Sequence, residues 1–183
     1  MRKLTEEKLE AELARLEGMR AYEHQYESAG IVCGIDEAGR GPLAGPVVAA
    51  VAVLPKDCTI LRLNDSKKLS EKCREELFLE IKEKAAAYGI GIVSPEVIDS
   101  INILQATYEA MRQAVAQLPQ EPDIFLNDAV IIPGISEEKQ IKIIKGDAKS
   151  VSIAAASILA KVTRDHMIME YDKIYPEYGF AKH

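Results

Sequence analysis

Four acidic residues occupy positions where the sequence predicts the ends of strands or the start of a helix. Two follow the first short apolar run, one follows a later apolar run, and one precedes the last predicted helix. In α/β sheets, binding and catalytic sites form at the ends of strands. Carboxylate oxygens are the ligands that Mg²⁺ and Mn²⁺ prefer, and the sequence has no His or Cys cluster that would favour a softer metal. We therefore expect two hard divalent cations to bind Asp36, Glu37, Asp128 and Asp147.

A pair of such cations would suit the cleavage of a phosphodiester bond. Two ions roughly 3.5–4 Å apart can activate a water molecule and stabilise the leaving oxygen of an in-line displacement. Bare carboxylates that converge on one point repel one another strongly, so their convergence in the folded protein would itself imply a bound cation. The acid pair at 36–37 is the hardest to explain otherwise, because two acids beside a buried strand are costly unless they are paired or bind a metal.

Basic residues and glycines surround the four acids in the sequence. Gly39-Arg40-Gly41 places a guanidinium between two glycines, which lets the main chain approach a ligand closely. Ser66-Lys67-Lys68 adds a hydroxyl group and two cations in a predicted loop. Such groups suit a phosphate backbone and would offset the negative charge of the acids. Further cations near the last acid and on the last helix are Lys145, Lys149, Lys161 and Arg164.

Composition places the chain among single-domain globular proteins. Its 183 residues are 48% hydrophobic and 28% charged, and 23 basic against 29 acidic side chains give a net charge of −6. These values exclude collagen-like, disulfide-rich and largely disordered chains, and they argue against indiscriminate coating of nucleic acid. Acidic residues interrupt every apolar run near the N-terminus, and no apolar stretch reaches roughly 18 residues, so neither export nor membrane spanning is expected. The three cysteines form no CxxC pair, which favours buried free thiols in the cytoplasm.

Apolar periodicity predicts a mixed α/β domain with helices between the later strands. The first two strands are close enough in sequence to form a hairpin. The last helix contains small side chains at 154–157, which can lie close against a sheet. The predicted strands cover 31–35, 46–54, 90–93, 124–126 and 141–144. Five helices are predicted: one over 5–27, one from Ser70 to an end at Gly89, a short one that begins at Ser94, one from Leu104 up to Pro119, and one over 150–172.

Some of the acids also have a purely structural interpretation. Asp147 alone could cap the last helix, and Asp128 alone could belong to a turn. Asp65 could likewise be a turn former that precedes two solvated lysines. The spacing of the glycines within residues 39–45 differs by one residue from the glycine spacing of a dinucleotide-binding loop, and a proline lies between them. A dinucleotide-binding loop is therefore a weak interpretation. The metal site therefore depends on the whole set of acids, and the helix at 5–27 is expected to be a packing appendage.

Three motifs resemble those of the ribonuclease HII family, the type 2 ribonucleases H. GIDEAGRGPLAGP at 34–46 resembles the family signature. KGDAK at 145–149, continued by the small-residue helix as far as Asp165, resembles the second hallmark of the family. NDSKKL at 64–69 is a third match, in the same order and at a suitable spacing. The resemblance covers residues 31–183, and three ordered matches argue against coincidence.

This resemblance implies a ribonuclease H-like α/β fold with a five-stranded mixed sheet flanked by helices. Residues 31–183 would form the catalytic domain, and residues 1–30 a helical extension. The implied enzyme is a Mg²⁺- or Mn²⁺-dependent endonuclease that acts in DNA replication and repair. It would hydrolyse the RNA strand of RNA/DNA hybrids and cut 5′ of ribonucleotides embedded in duplex DNA, leaving 3′-hydroxyl and 5′-phosphate ends. A cytoplasmic monomer without a membrane partner is expected.

The resemblance also implies roles for individual residues. The four acids would be both catalytic residues and the ligands of two metal ions. The main chain of the glycine-flanked arginine would grip the ribose 2′-hydroxyl and its phosphate, which distinguishes RNA from DNA at one sugar. The lysine-rich motif would contact the nucleic-acid backbone. The residues so assigned are Asp36, Glu37, Asp128 and Asp147 for the metals, and Gly39, Arg40, Gly41, Ser66, Lys67 and Lys68 for the substrate.

The sequence departs from the family pattern at two points. Asn127 stands where the family usually has an apolar residue, and strand alternation is expected to point it away from the site. The tyrosine of the family's Gly-Tyr-x-Thr segment is expected just after His183, so the resemblance predicts a missing C-terminal segment and weak turnover. Two alternatives stay open. One is a noncatalytic domain that binds RNA/DNA hybrids, and the other is a type 3 ribonuclease H, whose separate substrate-binding domain would not fit into the first 30 residues.

Overall fold

The computed structural model describes residues 5–180, which form one five-stranded sheet with helices on both faces. The strands are β1 (Val32–Ala38), β2 (Val47–Val53), β3 (Ala87–Val93), β4 (Ile124–Asp128) and β5 (Gln140–Ile143). Their spatial order is β3-β2-β1-β4-β5. β2 pairs antiparallel with β1 and β3, whereas β4 pairs parallel with β1 and β5. The predicted α/β fold, with a five-stranded mixed sheet and a hairpin of the first two strands, is confirmed.

Helices cover both faces of this sheet. The described residues contain α1 (Glu6–Met19), α2 (Ala21–Tyr26), α3 (Glu71–Lys84), α4 (Pro95–Ile101), α5 (Ile103–Val115) and α6 (Val151–Ile174). α5 packs on one face of β1, β2 and β3, and its buried side chains share a core with alternate residues of these strands. α1, α3 and α6 share a second core with the other residues of β2. The domain therefore has three layers, and α6 is the central helix of one of them.

α6 lies directly against the centre of the sheet at Gly34. A Cβ atom at this position would come within 2.1 Å of the carbonyl carbon of Ser152 and 2.2 Å of the amide nitrogen of Ile153. The following residues, 154–156, are alanines with no exposed surface, so the predicted close approach of the small-residue segment is confirmed. Because backbone lies against backbone here, the position of α6 relative to β1 is closely fixed.

β1 is longer than the sequence predicts, and it contains Asp36 and Glu37 rather than ending before them. The reason is the antiparallel ladder, in which both acids have cross-strand partners in β2. Asp128 is likewise the last residue of β4 and does not follow it. Three of the four predicted metal ligands therefore have positions defined by strand backbone.

The helix predicted from Ser70 to Gly89 ends earlier. Ser70 caps α3 as expected, but α3 ends at Lys84, and Tyr88 and Gly89 lie in β3. A Cβ atom at Gly89 would lie 2.1 Å from the carbonyl oxygen of Ala114 in α5. This glycine therefore lets α5 approach the sheet closely and does not end a helix.

The helix predicted at 5–27 consists of two helices that meet at Arg20. Leu16 and Met19 are buried in the core that includes α3 and α6. Leu9 and Leu13, on the same predicted apolar stripe, are more than one-third exposed. The N-terminal segment therefore packs on the domain through the second half of α1.

Two further observations concern the predicted cell compartment. Across residues 5–180, no helix is both long and apolar enough to cross a lipid bilayer. The three cysteines are free thiols, and Cys33 is fully buried. Cys58 and Cys73 are only partly buried. The cytoplasmic location itself stays a prediction.

Replacing Gly34 by alanine is expected to destabilise the fold by roughly 1–3 kcal/mol, because the new methyl group must push α6 away from β1. Urea unfolding followed by circular dichroism gives the change in the free energy of unfolding. Gly18→Ala is the matched control. A Cβ atom at Gly18 meets nothing within 4 Å, and alanine should favour α1 by roughly 0.5–1 kcal/mol. An unchanged midpoint for Gly34→Ala would contradict the close packing.

Candidate active site

Two of the predicted acids meet because β1 and β4 are parallel neighbours. Ile35 of β1 pairs with Asn127 of β4, and the next residue on each strand is an aspartate. Asp36 and Asp128 therefore lie side by side at the carboxyl ends of the two strands. Asp36 pairs with Ala50, whose side chain belongs to the core under α6, so the two aspartates lie on the face that α6 covers.

Asp147 reaches the same place from the connection between β5 and α6. It lies in a single turn, Gly146–Ala148, which the chain enters through Lys145 in the left-handed conformation. The amide of Gly146 donates a hydrogen bond of 2.7 Å to Oδ1 of Asp128, which ties this turn to β4. A Cβ atom at Gly146 would lie 2.5 Å from Cδ1 of Ile153, so the turn fits only glycine without a shift of that side chain.

The three aspartates form a compact group, with one carboxylate oxygen of each within 4.8 Å of the others. Burial and the charges of Glu37 and Asp128 raise the pKa of Asp36 well above its usual value. Burial and the charges of Asp65 and Asp128 raise the pKa of Asp147 to about 6. Among residues 5–180, this is the one group of three with the spacing of metal ligands. Carboxyl groups this close must hold protons or a cation.

Glu37 lies next to this group but does not belong to it. Successive strand residues point to opposite faces, so Glu37 leaves β1 on the side opposite Asp36. Its Oε1 atom accepts a hydrogen bond of 3.0 Å from Arg40, whereas Oε2 is buried with no hydrogen-bond partner among the described residues. Burial raises the pKa of Glu37, against the opposing effects of Arg40 and Lys67. A buried, unpartnered carboxylate oxygen beside three aspartates fits a site for a hard divalent cation.

The structure brings a fifth acid, Asp65, to the site. The charge of Asp65 is a main cause of the raised pKa of Asp147, so the two carboxyl groups are close. Oδ1 of Asp65 also accepts a hydrogen bond of 2.9 Å from the amide of Lys67, as expected of a turn former. The turn at Asp65 can be predicted from the sequence, but its proximity to Asp147 cannot. The NDSKKL motif does contain this acid, but nothing in the neighbouring sequence indicates that Asp147 lies beside it in the fold.

Ser66 supports Asp36 from within the protein. Its hydroxyl oxygen lies 2.9 Å from that of Ser157 in α6, and the Ser157 hydroxyl group favours the ionised form of Asp36, opposing the rise in the pKa of that acid. Ser66 is only 3% exposed. This position does not fit the predicted direct contact with a nucleic-acid backbone, because the hydroxyl group is buried and already has a partner.

Arg164 holds the connection between β1 and β2, which we call the glycine loop (residues 39–46). Its guanidinium donates hydrogen bonds of 3.0 Å and 2.6 Å to the carbonyl oxygens of Pro46 and Ala44. Arg164 is 7% exposed and bonds to main chain, so the predicted contact of this cation with a phosphate backbone does not fit its position. Gly39 has a φ of +107°, and a Cβ atom there would lie 2.6 Å from Nε of Arg164. Only glycine lets the loop pack over the guanidinium in this way.

The other predicted substrate contacts are open to solvent. Arg40 is exposed, and a Cβ atom at Gly41 would meet nothing within 4 Å. Lys67 and Lys68 are exposed as well. Arg40 pairs with Glu37, and the positive charge of Lys67 lowers the pKa values of Glu37 and Asp147, so these cations border the acids.

Asn127 points away from the aspartates, as predicted. It is fully buried, and its Nδ2 atom donates a hydrogen bond of 2.8 Å to the side chain of Gln140. The Gln140 side chain also accepts from the amide of Ile132 and donates to the carbonyl oxygens of Ile132 and Ile135. The polar residue at this position therefore helps to hold the loop that follows β4.

Asp147→Asn is expected to stabilise the metal-free protein above about pH 6, because the pKa of Asp147 is raised from 3.8 to about 6 by folding. A raised carboxyl pKa means that the folded state keeps its proton longer, so ionisation reduces stability as the pH rises through this window. Below about pH 4 the two proteins should have similar melting temperatures. Thermal unfolding in a chelator at about pH 4 and about pH 8 measures the difference.

The matched control is Asp99→Asn, an exposed acid of α4. Its effect on the melting temperature should be the same at both pH values. Added Mg²⁺ should raise the melting temperature of the parent protein at the higher pH more than that of Asp147→Asn, because a cation relieves the repulsion. A variant that is equally or less stable than the parent at both pH values would contradict the repulsion.

Comparison with known proteins identifies relatives of this chain. A family model for Ribonuclease HII matches residues 33–183. A protein named Ribonuclease HII from Lachnoclostridium phytofermentans is 60% identical over 175 residues, which cover 96% of this chain and 68% of the relative. A protein of the same name from Clostridioides difficile is 58% identical over 171 residues, which cover 92% of this chain and 67% of the relative.

Solved structures share the fold as well. The crystal structure of ribonuclease H2 from Pyrococcus horikoshii OT3 aligns with a TM-score of 0.68 and 30% identity, over 81% of this chain and 78% of that one. The RNase HII of the PCNA:RNase HII complex from Archaeoglobus fulgidus aligns with a TM-score of 0.61 and 30% identity, over 79% and 78%. The chain belongs to the ribonuclease HII family and is therefore a ribonuclease H, an endonuclease of a metal-dependent family that acts on RNA/DNA hybrids.

Proposed function

We propose that this enzyme hydrolyses the RNA strand of RNA/DNA hybrids and cuts 5′ of ribonucleotides embedded in duplex DNA, leaving 3′-hydroxyl and 5′-phosphate ends. The observation that carries the proposal is the convergence of Asp36, Asp128 and Asp147, with oxygens within 4.8 Å of one another. Such a group favours hard divalent cations over any other ligand class. The proposed ends follow because the attacking group is a water molecule. The downstream product then carries the phosphate at its 5′ end, whereas attack by the neighbouring 2′-hydroxyl group would leave the phosphate on the upstream product.

The proposed ligands of two Mg²⁺ or Mn²⁺ ions are Asp36, Glu37, Asp128 and Asp147. When bound, the ions would supply an activated water molecule and a counter-charge for the leaving oxygen. The protein itself fixes the carboxylate oxygens. The amide of Gly146 orients Asp128, and the amide of Glu37 orients Asp36, whose ionised form the Ser157 hydroxyl group favours. Ser66 acts in this proposal through Ser157, as a support for Asp36.

The glycine loop is the proposed site of ribose recognition. Arg164 holds the loop from below, and the open space around Gly41 allows a sugar and its phosphate to approach the main chain. The 2′-hydroxyl group can donate and accept hydrogen bonds, so main-chain groups at Gly39–Gly41 can distinguish RNA from DNA at one sugar. Arg40, Lys67 and Lys68 are the proposed contacts to phosphates, because they are exposed and border the acids.

Two alternatives predict different results. A type 3 ribonuclease H would prefer uniform hybrids to a single embedded ribonucleotide. A noncatalytic domain would bind hybrids without cutting them at saturating metal. The match to the Ribonuclease HII family over residues 33–183 favours the type 2 enzyme over type 3, and the aspartate group favours an enzyme over a noncatalytic domain.

Asp36→Asn and Asp147→Asn are each expected to reduce metal-dependent cleavage of an RNA/DNA hybrid by roughly 100-fold or more, because each removes a ligand and a charge from the site. Cleavage of a labelled hybrid gives the rate, and calorimetric titration with Mn²⁺ gives metal affinity independently. The exposed Asp99→Asn is the control and should cleave and bind metal as the parent does. Undiminished cleavage by either active-site variant would refute the assignment.

A duplex with one embedded ribonucleotide is expected to be cut on the 5′ side of that nucleotide. Replacing its 2′-hydroxyl by 2′-O-methyl should reduce the rate by roughly 100-fold or more, because the main-chain partners of the hydroxyl group are left unpaired. High-resolution gels with and without phosphatase treatment identify the cut position and the 5′-phosphate. Cutting of uniform hybrids alone would favour the type 3 enzyme, and binding without any cutting would favour the noncatalytic domain.

A further inference from the structure

The connection between β2 and α3, residues 54–70, carries Lys67 to the active site but has almost no regular structure. Its described secondary structure is a single turn at Ser66–Lys68. A connection of this length has many accessible conformations, and ordering each residue costs conformational entropy. Contacts from outside the connection must therefore hold it in place.

α1 supplies such contacts through Glu12 and Arg15. The two side chains form a bidentate ion pair, with nitrogen–oxygen distances of 2.8 Å and 2.7 Å. Oε1 of Glu12 also accepts a hydrogen bond of 2.6 Å from the amide of Arg62. The guanidinium of Arg15 donates a hydrogen bond of 2.8 Å to the carbonyl oxygen of Leu63. We call this arrangement the α1 clamp, and it holds two successive residues of the connection by their main chain.

The clamped segment has a conformation that needs support. Arg62 has a φ of +68°, a left-handed backbone conformation that is unfavourable for a residue with a side chain. Leu63 is buried in the same core as Leu16 and Met19 of α1. The side chain of Glu12 is only 17% exposed, so its charge-assisted hydrogen bonds are shielded from water. The clamp therefore fixes the backbone at a point where local sequence preference would not.

The active site begins immediately after the clamp. Two residues after Leu63 comes Asp65, whose charge acts on Asp147. The next residue, Ser66, contacts the Ser157 hydroxyl that supports Asp36. On the other side of the turn, Arg74 of α3 donates to the carbonyl oxygens of Ser66 and Leu69. The turn is thus anchored at both ends, by α1 before it and by α3 after it.

We propose that Glu12 and Arg15 are positioning residues, which hold the connection so that Lys67 can contact the nucleic-acid substrate. This inference rests on the proposed function, in which Lys67 is a phosphate contact. α1 precedes residues 33–183, the part of the chain that the family model matches, so the two side chains of the clamp lie outside that match. The expected role of the N-terminal helix as a packing appendage is then incomplete, because α1 acts on substrate binding through the connection.

The first test is Glu12→Ala in the full chain at saturating Mg²⁺. We expect KM for a duplex with one embedded ribonucleotide to rise roughly three- to tenfold, which corresponds to the loss of one or two hydrogen-bonded contacts, with kcat within about twofold. The salt dependence of affinity should also become shallower, because each lost phosphate contact reduces the logarithmic slope by roughly 0.7–0.9. A variant that is merely less folded would lose kcat in proportion to its active fraction and keep both KM and the slope.

Two further variants of α1 control for folding. Glu10→Ala removes an exposed acid of α1 and should change neither KM nor the salt slope. Glu12→Gln keeps an oxygen that can accept from the amide of Arg62, so it should recover part of the loss. Melting temperatures of all variants show what fraction is folded at the assay temperature. Equal KM values for Glu12→Ala and the parent would overturn the inference.

A double-mutant cycle with Lys67→Ala tests whether the clamp acts through Lys67. If it does, the double variant should bind no more than about twofold more weakly than Lys67→Ala alone, because the same contact is lost only once. Additive effects would overturn the inference and leave the proposed function intact. A Lys67→Ala variant with parental KM would instead overturn the proposed phosphate contact, and the inference with it.

Discussion

The repulsion among three carboxyl groups within 4.8 Å of one another is the constraint on which the rest of this structure depends. Burial strengthens that repulsion, because it removes the water that would screen the charges. The raised pKa values of Asp36 and Asp147 show the result: the group is unfavourable when fully ionised and without a counter-charge. Interactions elsewhere in the fold must therefore hold the acids together before any cation binds.

Those interactions are made by main chain and by small side chains. The parallel register of β1 and β4 aligns Asp36 with Asp128, and the amide of Gly146 ties the turn that carries Asp147 to Asp128. Gly34 lets the backbone of α6 lie against β1, so that Ser157 reaches Asp36. The strand register and the packing of the α6 backbone on Gly34 do not depend on the ionisation of the acids. The site can thus keep its geometry while its charge changes, which a metal-binding site requires.

Local sequence was sufficient to predict the five strands and the three aspartates that converge, because runs of buried apolar residues are a local property, whereas the exact ends of the strands depend on their pairing partners. Once β1 and β4 are parallel neighbours, the meeting of Asp36 and Asp128 follows from the register. Other features depend on contacts between distant segments. Arg164 is buried because α6 passes beneath the glycine loop, and Asp65 approaches Asp147 only because the β2–α3 connection is held there. Helical periodicity at 5–27 likewise showed an apolar stripe but not the clamp that α1 makes.

The net charge of −6 is a poor guide to how this protein meets a polyanion, because the charges are segregated. Exposed cations such as Arg40 and Lys67 lie at the border of the acids, which are themselves buried or half-buried. A phosphate backbone is attracted to the border and repelled by the centre until cations bind there. Burial raises the pKa values of Glu37 and Asp147, and the positive charge of Lys67 opposes that rise. The connection that carries this lysine is held by α1 on one side and by α3 on the other, so contacts outside the acidic group set the position of this positive charge.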